Sequence, residues 1–513
     1  MAEPKLPRND HILIIGSGFA GIGMGIRLEQ AGIEDFTILE QADQVGGTWR
    51  DNHYPGAACD VESHLYSFSF APNPDWSRQF APQKEILDYL VRCVDDFGLR
   101  PHLRLGTAVT AARFDQDTGL WDVQTEGGEH LTARVLVSGC GGLSRPSYPD
   151  IPGLDSFEGA LFHSARWDHD TPLEGKTVGV IGTGASAIQI VPSIAPTVGR
   201  LAVFQRTPPW ILPKSDRDIT ASEQRRFRRV PFLQKLARYA QYWRHELFAL
   251  GFVVDPRINK FAERFALRYL ERAVPEPELR AKLTPDYTLG CKRVLLTNDY
   301  YPALCRDNVD VVTGGIQEIR PEGILTRDGT LHRLDAIICA TGFQAAEAVA
   351  PFEVRGRGGR DLNNEWADGA EAYKGTSVAG FPNFFMIVGP NTGLGHSSMV
   401  HIIESQVEYI LGAVKTLRAR GVKLMDVRRD VQDRYNQRLH QRLSRTVWST
   451  GCVSWYQTTS GKNTTLWPGF TFEFRARTRH FDPAHYELVP GALAPRGSRE
   501  QPVPSVAAPL PGE

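Results

Sequence analysis

The 513-residue chain lacks a dominant charge: 58 Lys and Arg stand against 59 Asp and Glu, a formal net charge of -1. A nucleic-acid partner, which calls for a basic surface, is therefore not expected. Also missing is any run near the roughly 18 uninterrupted apolar residues of a membrane span. The best runs, such as Phe384–Val388, read as short buried strands. The N-terminus reaches an apolar strand at His11–Ile15 with no signal-peptide pattern, so a cytoplasmic protein is expected. Cysteine is scarce. The seven (Cys59, Cys93, Cys140, Cys291, Cys305, Cys339, Cys452) are odd in number and scattered, with no C-x-x-C pair. That disfavours a disulfide framework, a structural zinc site and a dithiol redox centre, and leaves them as small buried hydrophobes.

The chain is too long for a single core, so two or more domains are expected. Four segments share one grammar of apolar strand, glycine turn and helix: His11–Gln30, Lys176–Ile194, Asp335–Gly342, and Asn383–Gly393 running into a helix over Ser398–Leu417. Strands alternating with helices predict an α/β fold with parallel, doubly wound sheets. From about Ser215 to Leu283 the period turns helical, with Arg and Lys on one side and Phe, Leu, Tyr and Trp on the other. Such a stretch usually lays its apolar side over a core and its charges in water, and less often lies on a membrane. The tail after Pro490, rich in Pro, Ala and Gly, reads as disordered.

Two glycine fingerprints differ at the deciding residue. The first is Gly16-Ser17-Gly18-Phe19-Ala20-Gly21, and the next strand ends at Glu40, 24 residues after the first glycine. A carboxylate there accepts hydrogen bonds from ribose hydroxyls and repels a 2′-phosphate, which suits FAD or NAD. The second is Gly182-Thr183-Gly184-Ala185-Ser186-Ala187, and its next strand ends at Arg206, again 24 residues on, followed by Thr207. A cation in that place suits the 2′-phosphate of NADPH. In each, pyrophosphate is expected on a helix N-terminus. A protein with both sites can pass hydride from NADPH to a flavin. Without a C-x-x-C pair, disulfide reduction is disfavoured, which leaves oxygen chemistry or electron carriage.

Three further stretches resemble the Baeyer–Villiger monooxygenase family. Phe157, Gly159, His163, Trp167 and Asp168 match its F-x-G-x-x-x-H-x-x-x-W-[P/D] signature. Gly46-Gly47-Thr48-Trp49, Tyr54-Pro55-Gly56 and Asp60 match a second family signature. Ala340-Thr341-Gly342 is the motif shared by the wider flavin monooxygenase group. The resemblance, over about residues 8 to 485, implies an FAD enzyme that uses NADPH and O2 to insert oxygen beside a ketone carbonyl through a flavin peroxide, giving an ester or lactone. It implies that Asp60 lies near the flavin and partners Arg293, the residue acting on the peroxide. It places Gly16, Gly18, Phe19, Gly21, Glu40, Thr48, Trp49, Asp60, Tyr66, Val109 and Met399 at FAD. Gly182, Thr183, Gly184, Ser186, Gln189, Arg206, Thr207, Lys292, Arg293 and Trp455 fall to NADP. His163 is expected to link the two domains rather than do chemistry.

The domains expected are FAD-binding over 1–150 and 375–490, NADP-binding over 151–214 and 291–374, and a helical insertion over 215–290. Residues 491–513 form the tail. An N- or S-oxygenating flavin monooxygenase and a non-oxygenating NADPH-dependent flavin reductase stay open as alternatives. The sequence leaves the particular ketone undecided: aromatic and aliphatic residues around Trp448–Trp467 suit an apolar pocket or a core equally.

Overall fold

The structure, a computed structural model, describes residues 10–344, 350–449, 456–458 and 460–491. Two five-stranded parallel sheets carry the two fingerprints. In the first, the strand order is Phe384–Met386, Val135–Ser138, Ile12–Ile15, Phe36–Leu39, Leu103–Arg104. In the second it is Val309–Val312, Arg200–Phe204, Thr177–Ile181, Ala336–Cys339, Ala160–His163. The central strands, ILII and AIIC among them, are buried at every position. Helices cover both faces of such a sheet, so its strands read as continuous apolar runs rather than alternating ones. Two smaller sheets flank these: one over Val109–Asp115, Leu120–Thr125 and His130–Ala133, joined by Glu353–Arg355, and one of three strands between Ile316 and Arg333.

Each fingerprint strand ends at a glycine in the left-handed region, Gly16 at φ 97° and Gly182 at φ 116°. That conformation is close to free for glycine and strained for other residues. The helices that follow, Phe19–Gln30 and Ala187–Ile194, pack directly on these turns. At Gly21 an added Cβ would sit 1.8 Å from the Gly16 carbonyl oxygen. The third glycine of the first motif is there for contact, not flexibility.

The helical insertion consists of Ala221–Arg229, Pro231–Val253, Asn259–Ala273 and Pro277–Lys282. Its long helix is oriented against the ordinary expectation for an amphipathic segment. The inward face is polar: Gln234 Nε2 donates to the Asn73 carbonyl at 2.6 Å, Arg238 Nη1 to that of Ser67 at 2.9 Å, and Glu246 accepts from the Thr471 amide at 3.1 Å. Phe232, Leu236, Tyr239, Trp243 and Leu247, spaced three or four apart on the opposite side, are all exposed. No helix among the described residues is long and apolar enough to cross a membrane.

Cys291 is disulfide-bonded, which corrects the reading of every cysteine as an isolated hydrophobe. Pairing follows distance in the fold, which sequence spacing does not report. Cys59, Cys93 and Cys339 are free and buried, as expected.

Gly21→Ala should destabilise the protein by about 2 kcal/mol or more, since the backbone under it cannot yield without opening the turn. Thermal denaturation measures this, and an unchanged midpoint would show that the helix can slide off the strand.

Candidate functional site

At the first fingerprint the deciding carboxylate is 4% exposed and held by protein donors. Glu40 Oε2 accepts from the Ser17 amide at 2.9 Å and the Ser17 hydroxyl at 2.7 Å, while Oε1 accepts from the Ala42 amide at 3.0 Å. Arg50 Nη1 lies 2.9 Å from Oε1. The carboxylate is thus fixed at the strand end, and a ribose hydroxyl would bind by displacing one of these partners. Gly47, at φ 52°, brings its Cα to 3.6 Å from where a Cβ on Gly18 would stand, so the Gly46-Gly47 turn sits on the fingerprint. Thr48 opens the short Thr48–Asp51 helix. The Trp49 indole donates to the Tyr66 hydroxyl at 3.1 Å, and Phe19 meets Tyr66 edge-on at 5.2 Å. Phe19 is itself buried in the core, so its role is to pack. Val109 starts the strand reached through Thr107, whose amide donates to the Glu40 carbonyl at 2.7 Å.

Met399 is the first residue of the Met399–Arg420 helix, capped by Ser398. The loop before it holds Asn391 Oδ1, Ser397 Oγ and both ring nitrogens of His396, all buried without a hydrogen-bond partner. Unpaired buried polar atoms beside a helix N-terminus are what a polar ligand would satisfy, and the isoalloxazine edge of FAD offers such atoms. The residues present fit FAD.

At the second fingerprint, Thr183 Oγ1 donates to the Thr207 carbonyl at 2.9 Å, so the turn and the end of the next strand are tied together. A Cβ on Gly184 would meet nothing within 4 Å, which leaves open space over the turn. Arg206 is exposed. Burial first, and then the nearby charge of Arg206, lowers the Lys292 pKa, and the ammonium lies 4.9 Å from the centre of the Tyr287 ring. Among the described residues neither cation has an ion-pair partner. Two converging cations, with Asp286 near Lys292 but in no ion pair with it, fit the 2′-phosphate of NADPH. Trp455 lies outside the described residues.

The signature around Tyr54 proves to be a bridge between the two halves. Tyr54 donates to Gln189 Oε1 at 2.9 Å, and Gln189 Nε2 donates to the Ala58 carbonyl at 3.0 Å. A Cβ on Gly56 would stand 2.7 Å from the Gln189 carbonyl and closer still to Ser193 Oγ. Gln189 therefore spends its amide on the bridge. Ser186 stands at the N-terminus of the same helix. The other signature is structural too: Trp167 is 7% exposed and packs edge-on to Phe162, and Asp168 caps the turn to Asp170 and Thr171. His163 is buried at the strand end. It meets Tyr148 and Phe343 at 5.4 and 5.8 Å, and burial pushes its pKa down to about 4. A neutral histidine wedged between segments agrees with a linking role.

Two residues beyond Ala58, Asp60 Oδ2 accepts from Arg293 Nε at 3.0 Å and Nη2 at 2.5 Å. The two side chains are 29% and 35% exposed, so the pair is half-buried and still reachable. Burial works to raise the Asp60 pKa, but the charge and hydrogen bonds of Arg293, with Lys214 nearby, hold it below the usual carboxylate range. Asp60 in turn raises the Arg293 pKa. Both groups stay charged at neutral pH. Lys214 and Tyr456 complete the cluster and were not found in the sequence. Burial lowers the Lys214 pKa, and burial raises that of Tyr456 to about 12, with Arg293 and Asp60 acting on it in opposite directions. Neither residue belongs to a motif; position next to Trp455 was the only signal for Tyr456.

Trp448 and Trp467 are each 2% exposed and form a core with Phe252, Leu394 and Phe474. Asn391 Nδ2 donates to the carbonyls of Asn463 and Leu466 at 2.9 and 3.2 Å. The Asn463–Trp467 stretch thus buttresses the loop before Met399 instead of presenting its tryptophan to a pocket.

Residues 13–232 match the family model described as pyridine nucleotide-disulphide oxidoreductase. A Baeyer-Villiger monooxygenase of Pseudomonas aeruginosa is 51% identical over 96% of this chain and 94% of its own. One of Streptomyces coelicolor is 50% identical over 97% and 96%. Among solved structures, OTEMO in complex with FAD and NADP aligns with a TM-score of 0.85 at 31% identity, covering 93% of this chain and 99% of its own. Closed cyclohexanone monooxygenase aligns at 0.84 and 30%, covering 94% and 99%. With two dinucleotide sites, the Asp60–Arg293 pair between them and full-length relatives at half identity, the chain belongs to the Baeyer–Villiger monooxygenase family.

Proposed function

We propose that this protein oxidises ketones to esters or lactones with NADPH and O2, and that sulfoxidation accompanies this as a side activity. The observation that carries the reading is the half-buried Arg293 guanidinium, held by Asp60 two residues after the Tyr54–Ala58 bridge. When bound, FAD takes hydride from the nicotinamide and supplies activated oxygen. Arg293 is the catalytic residue of this chain: a fixed guanidinium stabilises negative charge developing on oxygen, and does so best where water is partly excluded. Asp60 orients Arg293 and keeps it from swinging away. Lys214 adds positive potential, and the Tyr456 phenol, protonated across the working range, can both donate and accept a hydrogen bond.

On this reading Gly16, Gly18, Gly21, Glu40, Thr48, Trp49, Tyr66, Val109 and Met399 hold FAD. Gly182, Thr183, Gly184, Ser186, Arg206, Thr207 and Lys292 hold NADPH. Residues 1–150 with 375–490 form the FAD domain, and 151–214 with 291–374 the NADP domain, interrupted by the helices of 215–290. The two five-stranded sheets support this division, since each draws its strands from those ranges, but Glu353–Arg355 pairs with Val109–Asp115, so the return to the FAD domain falls before residue 353. The reading places the enzyme in the cytoplasm, where NADPH is supplied.

Incubation with a panel of linear, cyclic and aryl ketones should give esters or lactones. Hydrogen peroxide alone, with no ester from any of them, would refute the assignment. Arg293→Ala should lower ester formation by about 100-fold or more while NADPH still reduces the flavin; persistent oxygenation would move the anion-stabilising role elsewhere. Arg206→Ala should weaken the preference for NADPH over NADH by roughly tenfold, read from kcat/KM with each cofactor. An unchanged ratio would place the 2′-phosphate away from Arg206.

A further inference from the structure

We propose that the helical insertion is a docking surface for an anionic lipid bilayer. Two observations carry this, one of shape and one of charge. The long Pro231–Val253 helix turns its polar residues inward and its apolar stripe to solvent: Phe232 is 69% exposed, Trp243 54% and Leu247 67%. The next helix repeats the pattern, with Phe261 81% and Phe265 49% exposed. Phe472, from a separate helix, extends the aromatic surface with its ring 6.1 Å from Trp243. Soluble monomers seldom expose so many large side chains on one element, because each costs hydration with nothing gained. Tyrosine and tryptophan at such a surface suit a bilayer interface, where one end of the ring is apolar and the other wet.

The charge decides the occupant. Between Ala221 and Ala273 twelve arginines and lysines accompany five carboxylates, in a chain whose total is -1. Three of the cations are engaged elsewhere, Arg228 on Asp75, Arg244 on Glu62 and Arg238 on inward carbonyls, and the segment still keeps an excess of positive charge. Of the five, Glu246 is buried and bonded to Thr471, and Glu263 accepts from the Leu289 amide. Arg225, Arg226 and Arg229 are exposed at the entry to the long helix and have no ion-pair partner among the described residues. Apolar side chains among unpaired cations are what an amphipathic helix lying in the headgroup region presents to acidic lipid. A second copy would bring the same positive face against itself, since a two-fold interface pairs a patch with its own image. No helix among the described residues can span a bilayer, so the contact is peripheral.

The test is flotation of the FAD-loaded enzyme with vesicles of phosphatidylcholine, alone or with roughly 30% phosphatidylglycerol. The protein should float with the anionic vesicles at least tenfold more than with the neutral ones, and about 0.5 M salt should release most of it. Phe232→Ser/Trp243→Ser/Phe261→Ser should stay unbound while turning over a water-soluble ketone within about twofold of the parent. Because that variant removes three large side chains, Arg225→Gln/Arg226→Gln/Arg229→Gln provides a second arm, expected to lower binding to anionic vesicles several-fold. Absence of flotation, equal flotation with both vesicle types, or binding that survives both variants overturns the proposal. A dimer in sedimentation velocity that the aromatic variant dissociates would also overturn it, since a second copy would then cover this face.

Discussion

The contact of the Tyr54–Ala58 segment with the Ala187–Ile194 helix is the constraint on which the site depends. Gln189 makes a two-way amide clamp there: its oxygen accepts from Tyr54 and, at 3.4 Å, from the Ala58 amide, and its nitrogen donates to the Ala58 carbonyl. The clamp works only if the backbone comes close, and Gly56, at φ 81° against the Gln189 carbonyl, is what permits that. The segment belongs to the half that carries the first fingerprint, the helix to the second. Two sheets with separate cores thereby acquire a fixed relation at the point where two cofactors would have to meet. Asp60 follows at once in the chain, so Arg293 is aimed by a residue whose own position the clamp dictates. Losing the clamp would leave the ion pair chemically intact and misplaced, and displacements of the order of 1 Å are costly in catalysis.

Electrostatics then separates two turns that are nearly identical as backbones. Both glycines at the strand ends take positive φ, and both deciding residues follow 24 positions later. Glu40 is buried and saturated with donors, while Arg206 is exposed and shares its surroundings with Lys292. On the proposed assignment, one turn would reject a 2′-phosphate and the other attract it. The same sorting appears at Asp60, where Arg293 stands against the carboxylate and Lys214 lies under the charges of both Asp216 and Asp60. A guanidinium already held in place needs no reorganisation when negative charge arrives, which is the sense in which a site is preorganised.

How much of this the sequence disclosed follows from what each signal measures. Parallel strands buried on both faces leave continuous apolar runs, so Ile12–Ile15, Thr177–Ile181 and Ala336–Cys339 were legible, and the fingerprints marked their ends. The Asp60–Arg293 pair spans 233 residues and has no local trace, so only the family resemblance proposed it. Lys214 and Tyr456 belong to no motif and were missed. Gln189 was placed at NADP by the family resemblance; what the sequence did not disclose is that its amide also bonds Tyr54 and Ala58. The disulfide at Cys291 was missed because scattered spacing says nothing about proximity. Periodicity identified the long helix and its two faces correctly, but a period has no sign: it does not say which face turns in.

The sign was set by what the helix covers. The stretch from Glu62 to Asn73 is irregular; the Glu62 and Phe68 carbonyls are paired within it, but others have no sheet to pair with and need a donor from elsewhere. Arg238 Nη1 shares its two N–H groups among three of them, His64 at 2.5 Å, Ser67 at 2.9 Å and Leu65 at 3.3 Å. Gln234 reaches Asn73, and His245 lies between Glu62 and the His396 carbonyl at 2.7 and 2.6 Å. A helix packed on such a surface must turn its polar residues inward, because an apolar face would leave those carbonyls buried and unpaired at about 1–3 kcal/mol each. Inward polarity explains half of the arrangement. It does not require the outer face to be aromatic, since Glu, Lys or Gln at positions 232, 239, 243 and 247 would satisfy the same inner bonds and keep the surface hydrated. The outward Phe, Tyr, Trp and Leu are thus independent of the helix's structural duty, and their reason has to be sought in what meets that surface.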